Sequence, residues 1–142
     1  MEKIGSFRKN HNTMQPGFYY TAIMDDLYEY DLRFKTPNNG DYLSVSAMHT
    51  IEHLFATAIR DNEMKDRVIY FGPYGCRTGF ALIMRGIPME QALLMTVEAL
   101  KKCISADSVP GNKKIECGNY RSHNLKSAKK EIRSYLDIIA NR

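Results

Sequence analysis

Apolar residues recur at helical spacing through Ala47, Ile51, Leu54, Phe55, Ala58 and Ile59. This pattern predicts an amphipathic helix entered at Ser44 or Ser46, either of which can cap it, and left at Asp61-Asn62. Residues 18–24, after a turn at Pro16-Gly17, are rich in β-formers and read as a strand. Asp25-Asp26 turns the chain into residues 28–34, where apolar and charged side chains alternate as in a half-buried antiparallel strand, with Arg33 away from the face of Tyr30, Leu32 and Phe34. Thr36 to Asp41, with Pro37 and Gly40, is a loop leading into the helix.

Beyond that helix, Arg67 to Phe71 and Thr78 to Arg85 read as two more strands joined by a tight turn around Gly72, Pro73, Gly75 and Cys76. Pro88 suits the first turn of a helix running to about Cys103, with Leu93, Leu94, Val97 and Leu100 as its apolar face. Asp107 to Lys114 reads as an exposed loop delivering Cys117. A last helix spans about Asn124 to Asn141, burying Leu125, Ala128, Ile132, Tyr135, Leu136 and Ile139, with Lys126, Lys129, Lys130 and Arg133 on a solvated face. The expectation is one α+β domain over residues 1–142, an antiparallel sheet packed with helices, without internal repeats.

Composition narrows the class. The chain has 142 residues, 44% hydrophobic and 25% charged, an ordinary globular balance that can bury one core. A net charge of +4 with scattered lysines gives no argument for nucleic acid. No segment has a signal peptide's apolar core or a membrane span's length, so no membrane is expected. Three cysteines without a paired framework suit a reducing cytoplasmic setting, where thiols serve metals or catalysis.

The chemistry concentrates in the first helix. His49 and His53 lie four residues apart, hence on one helical face nearly opposite the apolar stripe, and two such imidazoles can direct ring nitrogens at one divalent ion. Glu52, turned about 100° from His53, is placed to act as acid or base without being a ligand. Cys103 ends an amphipathic helix and reads as a buried structural thiol. Cys117, in a polar turn far along the chain, can supply a third ligand, and a His₂Cys set leaves a tetrahedral position open, as catalytic sites do. Cys76, in a glycine turn near backbone amides, can be held as thiolate. Spacing alone leaves open the reverse, with Cys76 as ligand and Cys117 idle.

Five ordered stretches carry a resemblance: Ser6-Phe7 with His11; Tyr30-Asp31-Leu32-Arg33-Phe34 with Pro37-Asn38; His49-Thr50-Ile51-Glu52-His53-Leu54; Gly75-Cys76-Arg77-Thr78-Gly79-Phe80; and Glu116-Cys117-Gly118-Asn119. With His123-Asn124-Leu125 and Ala128-Lys129 they resemble the S-ribosylhomocysteine lyase (LuxS) family from end to end. The departures are Asn10 where the family usually has aspartate, Gly72 and Tyr74 for its common Ser and Met, and Tyr70 at a position often held by Asp.

The resemblance implies a LuxS/MPP-like metallohydrolase type of fold and a homodimer with active sites at the interface. It implies cleavage of S-ribosyl-L-homocysteine to L-homocysteine and 4,5-dihydroxy-2,3-pentanedione, the autoinducer-2 precursor. It also implies Fe²⁺, replaceable by Zn²⁺ or Co²⁺, on His49, His53 and Cys117, with Cys76 and Glu52 as the acid/base pair and Ser6, His11 and Arg33 as substrate-binding residues. Two rivals stand beside it. The His-x-x-Glu-His order is also that of inverzincin metallopeptidases, which are larger and take a distal glutamate as third ligand. A non-enzymatic zinc module would close four protein ligands with paired spacings that are absent.

Overall fold

In the computed structural model, which describes residues 1–140, β1 (Gly17–Met24) and β2 (Leu27–Arg33) form a hairpin about Asp25, whose φ of 48° closes the turn. β3 (Val68–Pro73) and β4 (Gly79–Arg85) form a second hairpin. The two join through β2 and β4 into a four-stranded antiparallel sheet of order β1-β2-β4-β3. Three helices complete an α+β fold: α1 (Val45–Ala58), α2 (Met89–Ile104) and α3 (Leu125–Ala140). The Asn141 end expected for the last helix lies outside the described residues.

The register sorts side chains by face. Phe18, Leu32 and Phe80 align across the sheet, as do Tyr30, Leu82 and Phe71, and all are buried against the helices. Phe34 stacks on Tyr135 of α3 with centroids 4.1 Å apart, and the Tyr135 hydroxyl donates to Gly17 O at 2.8 Å. The Tyr30 hydroxyl donates to Ile87 O at 2.5 Å. Aromatic bodies thus fill the core while their polar tips satisfy buried carbonyls.

Two expectations change. From Tyr30 to Arg33, β2 is buried on both faces and not half-buried: Asp31 and Arg33, on the face opposite the helices, are each 0% exposed. The segment carrying Lys9 and the turn carrying Cys76 cover that face, and charges can be buried there because they pair. Room for Arg33 comes from Gly79, its partner in register, where an added Cβ would stand 2.7 Å from Leu32 O and 3.3 Å from Arg33 Cδ.

In α2 the buried face is Ala92, Thr96, Ala99, Leu100 and Cys103, whereas Leu94 is exposed. The stripe is rotated because small side chains let α2 lie close against its neighbours, leaving the larger Leu93 and Val97 at the margin. Among the described residues, no helix is long and apolar enough to cross a membrane.

Candidate active site

Ser44 caps α1, its Oγ accepting from Ala47 N at 3.2 Å, and Ala47, Ile51, Leu54 and Phe55 bury the apolar stripe. His49 and His53 therefore project from the opposite side as expected. Each is oriented by a backbone carbonyl. His49 Nδ1 donates to Ser122 O at 2.8 Å and His53 Nδ1 to Pro110 O at 2.9 Å. A carbonyl can only accept, so both rings carry their proton on Nδ1 and present an Nε2 lone pair.

The loop expected to be merely exposed thus takes part in the site. Val109 is buried, and Gly111, with φ of 70°, turns the chain so that Pro110 O meets His53. A further turn, in which the Glu116 and Cys117 amides both donate to Lys113 O, presents the Cys117 thiol to the imidazoles. Cys117 Sγ lies 3.4 Å from His49 Nε2 and 3.9 Å from His53 Nε2. Ligand atoms around one tetrahedral ion stand about 3.5 Å apart at ordinary metal–nitrogen and metal–sulfur lengths. The donor set and its spacing therefore fit a divalent transition metal.

The sequence pattern alone does not place His123 in this group. The ligand atoms of His49, His53, Cys117 and His123 all lie within 4.8 Å of one another. The His123 and His49 rings stack with centroids 4.0 Å apart. Burial, and then the repulsion that a protonated His123 would meet from His49 and His53 when they too are protonated, hold His123 below the ordinary imidazole pKa. The signal in the sequence was its position six residues after Cys117, where one turn returns the chain to the thiol.

A second group sits at the β3–β4 turn. Arg77, with φ of 62°, closes the turn by donating its amide to Tyr74 O, while its own carbonyl accepts from Leu43 N just before the α1 cap. Cys76 is exposed there and Cys103 is buried, as expected. The Arg33 guanidinium donates through Nε and Nη2 to both oxygens of Asp31, at 3.1 and 2.6 Å. Its Nη1 donates to Thr78 Oγ1 at 2.8 Å and lies 3.7 Å from Cys76 Sγ. Burial pushes the Cys76 thiol up, but hydrogen bonds from the Thr78 hydroxyl and amide, and then the Arg33 charge, outweigh it and leave the thiol below its ordinary value. The Cys103 thiol, shielded by burial, is pushed up to about 12.

The structure brings Arg33 and Cys76 together, and separately His49, His53 and Cys117. Glu52 is half-buried on α1 between the two histidines. Ser6, in a short 3₁₀ turn at Gly5–Arg8, lines a groove of ≈ 530 Å³ with Tyr74 and Glu29. His11 Nδ1 bonds Lys9 O at 2.9 Å, and Lys9 in turn reaches Asp31 at 3.1 Å. Asp31, which sequence reasoning did not single out, holds Arg33 from below. Three of the residues that depart from the resemblance are accommodated here: the Tyr70 ring fills the space a side chain at Gly72 would need, and Tyr74 bonds Glu29 and faces the Arg33 guanidinium.

Residues 4–142 match the family model described as S-ribosylhomocysteinase (LuxS). The chain is 41% identical to the S-ribosylhomocysteine lyase of Borreliella burgdorferi over 99% of this chain and 94% of that one. It is 39% identical to the S-ribosylhomocysteine lyase of Finegoldia magna over 99% and 94%. The enzyme of the same name from Clostridioides difficile is 39% identical over 96% and 93%.

Proposed function

The chain belongs to the S-ribosylhomocysteinase (LuxS) family, and from that premise we propose how its residues carry out the carbon–sulfur lyase reaction by which that family serves autoinducer synthesis. The substrate is S-ribosyl-L-homocysteine, and the products are L-homocysteine and 4,5-dihydroxy-2,3-pentanedione. Residues 1–142 act as one catalytic domain of the LuxS/MPP-like type, working in the cytoplasm.

The observation that carries the reading is the separation of two thiols. Cys117 lies among the imidazoles, whereas Cys76 lies against Arg33 and Thr78. His49, His53 and Cys117 would hold a divalent ion, Fe²⁺ in the cell, with Zn²⁺ or Co²⁺ able to replace it. When bound, the ion supplies Lewis-acid polarisation of the open-chain sugar's carbonyl, which acidifies the neighbouring C–H.

The Cys76 thiolate takes that proton, becomes a thiol and returns the proton to the former carbonyl carbon, so that the carbonyl moves one carbon along. Glu52 carries the accompanying proton between hydroxyl oxygens. A second such round places the carbonyl so that the thioether lies β to it. Removal of the intervening C–H proton then breaks the C–S bond, and homocysteine leaves with the electron pair as its thiolate. Arg33 and Thr78 favour the thiolate form of Cys76 between rounds. Ser6, in the groove, and His11 bind substrate, and Arg33 contributes to the substrate site from beneath Cys76.

The working unit is a homodimer with active sites at its interface. Ile4, Phe7, Tyr20, Ile23, Ile69 and Tyr70 are exposed, and a second copy would cover such apolar surface. A metallopeptidase is disfavoured because the third candidate ligand is a cysteine. Supplying S-ribosylhomocysteine and titrating released thiol tests the function, with casein hydrolysis as the rival outcome.

A further inference from the structure

Three imidazoles surround Cys117, but their hydrogen bonds divide them into two kinds. His49 and His53 donate from Nδ1 to carbonyl oxygens, so each has a lone pair on Nε2. Among the described residues, His123 has no such carbonyl partner. Its Nδ1 lies 3.0 Å from Thr50 Oγ1, and that same oxygen accepts the Asn124 backbone N–H at 2.9 Å. Thr50 is 0% exposed, so its single hydroxyl proton needs a partner within the protein, and His123 Nδ1 is the acceptor beside it. Nδ1 therefore accepts, and the ring proton sits on Nε2. That N–H lies 3.9 Å from Cys117 Sγ.

We propose that His123 is a positioning residue for the candidate metal centre, donating its Nε2–H to the Cys117 sulfur and, because it carries that proton, leaving the fourth ligand position open to substrate. The inference rests on the reading of His49, His53 and Cys117 as the ligand set.

Several features lock this arrangement. Asn124, which donates to Thr50, also caps α3, its Oδ1 accepting from Ser127 N at 3.0 Å. The start of α3 and the buried face of α1 thus share one hydroxyl, and stacking on His49 fixes the plane of the His123 ring. A hydrogen bond to a thiolate draws electron density from sulfur, so Cys117 becomes a weaker donor to the ion. A lone pair at His123 Nε2 would have the opposite consequence: a His₃Cys set, closed as structural zinc sites are, with no place for a carbonyl oxygen.

The test uses the full-length protein loaded with Co²⁺, whose sulfur-to-metal absorption reports the donor strength of the thiolate. In His123→Phe, metal content should stay at the wild-type level while the band moves to longer wavelength. His123→Gln, whose amide can replace the Nε2–H, should move it back toward the wild-type position. Thr50→Ser should leave the spectrum unchanged. Thr50→Val, which removes the hydroxyl proton and frees the tautomer, should shift the band or add a third imidazole by X-ray absorption. Loss of most bound metal in both His123 variants would make His123 a ligand and overturn the proposal, as would an unmoved band in His123→Phe, or a Thr50→Val protein with neither a moved band nor an added imidazole. These readouts need no turnover, so they fail independently of the lyase assignment.

Discussion

Arg33 and Cys76 meet at Thr78. The guanidinium donates to Thr78 Oγ1 at 2.8 Å, the cysteine sulfur lies 3.2 Å from the same oxygen, and Nη1 is 3.7 Å from sulfur. A thiol beside a fixed cation and a hydroxyl is stabilised as thiolate, so its reactive form persists to lower pH. Cys76 should therefore react with iodoacetamide below the ordinary thiol pKa of about 8.5, whereas Cys103, pushed up to about 12 by burial, should stay inert in the folded protein. Thr78→Val should move the Cys76 profile to higher pH. Mass spectrometry of alkylated peptides against pH reads both, and equal labelling of the two cysteines would contradict the geometry.

The ligand assignment predicts a contrast between thiols. Cys117→Ala and His53→Ala should each lose most of the bound metal by elemental analysis, because either leaves at most two of the proposed donors. Full retention in either would remove that residue from the ligand set. The Fe²⁺ form should also lose activity in air faster than a Co²⁺ form, since iron with a thiolate ligand is oxidisable.

How much of the molecule is legible in the sequence differs by level. The helix carrying His49 and His53, a cap at Ser44 or Ser46 and the two hairpins follow from periodicity and turn residues, which are local. The burial of Asp31 and Arg33 is not legible, because it depends on distant segments folding over the far face of the sheet. Alternation does place the two residues on one face, but not what covers it. His123 is likewise hidden, since its place beside Cys117 comes from a turn, and its partner Thr50 is seventy-three residues away. The choice between Cys76 and Cys117 as ligand needs tertiary structure, which sets one among imidazoles and the other against a guanidinium.

Gly79 gives a stability prediction tied to the same group. Gly79→Ala forces a methyl to 2.7 Å from Leu32 O and 3.3 Å from Arg33 Cδ. Overpacking of this kind costs about 1–3 kcal/mol, measurable by urea unfolding. Because the displacement moves Arg33 relative to Cys76, the alkylation profile should shift to higher pH as well. An unchanged midpoint would show that the strands separate freely at this position.

The proposed dimer predicts that wild-type protein sediments as two chains and that Ile23→Glu, on the exposed part of β1, shifts it toward one. Since Arg33 and Cys76 touch within one chain, mixing Arg33→Ala with Cys76→Ala should restore little activity. A monomeric wild type would refute the interface.

The most direct measurement of the central claim is metal content and thiol release from S-ribosylhomocysteine on the same sample of Cys76→Ala. Loss of a general acid/base lowers turnover by about 100-fold or more. The expected result is wild-type metal content with thiol release reduced to that degree, and the same pattern in Glu52→Gln. Loss of the metal in Cys76→Ala, or turnover near the wild-type rate, would contradict the division of labour in which Cys76 moves protons and Cys117 holds the ion.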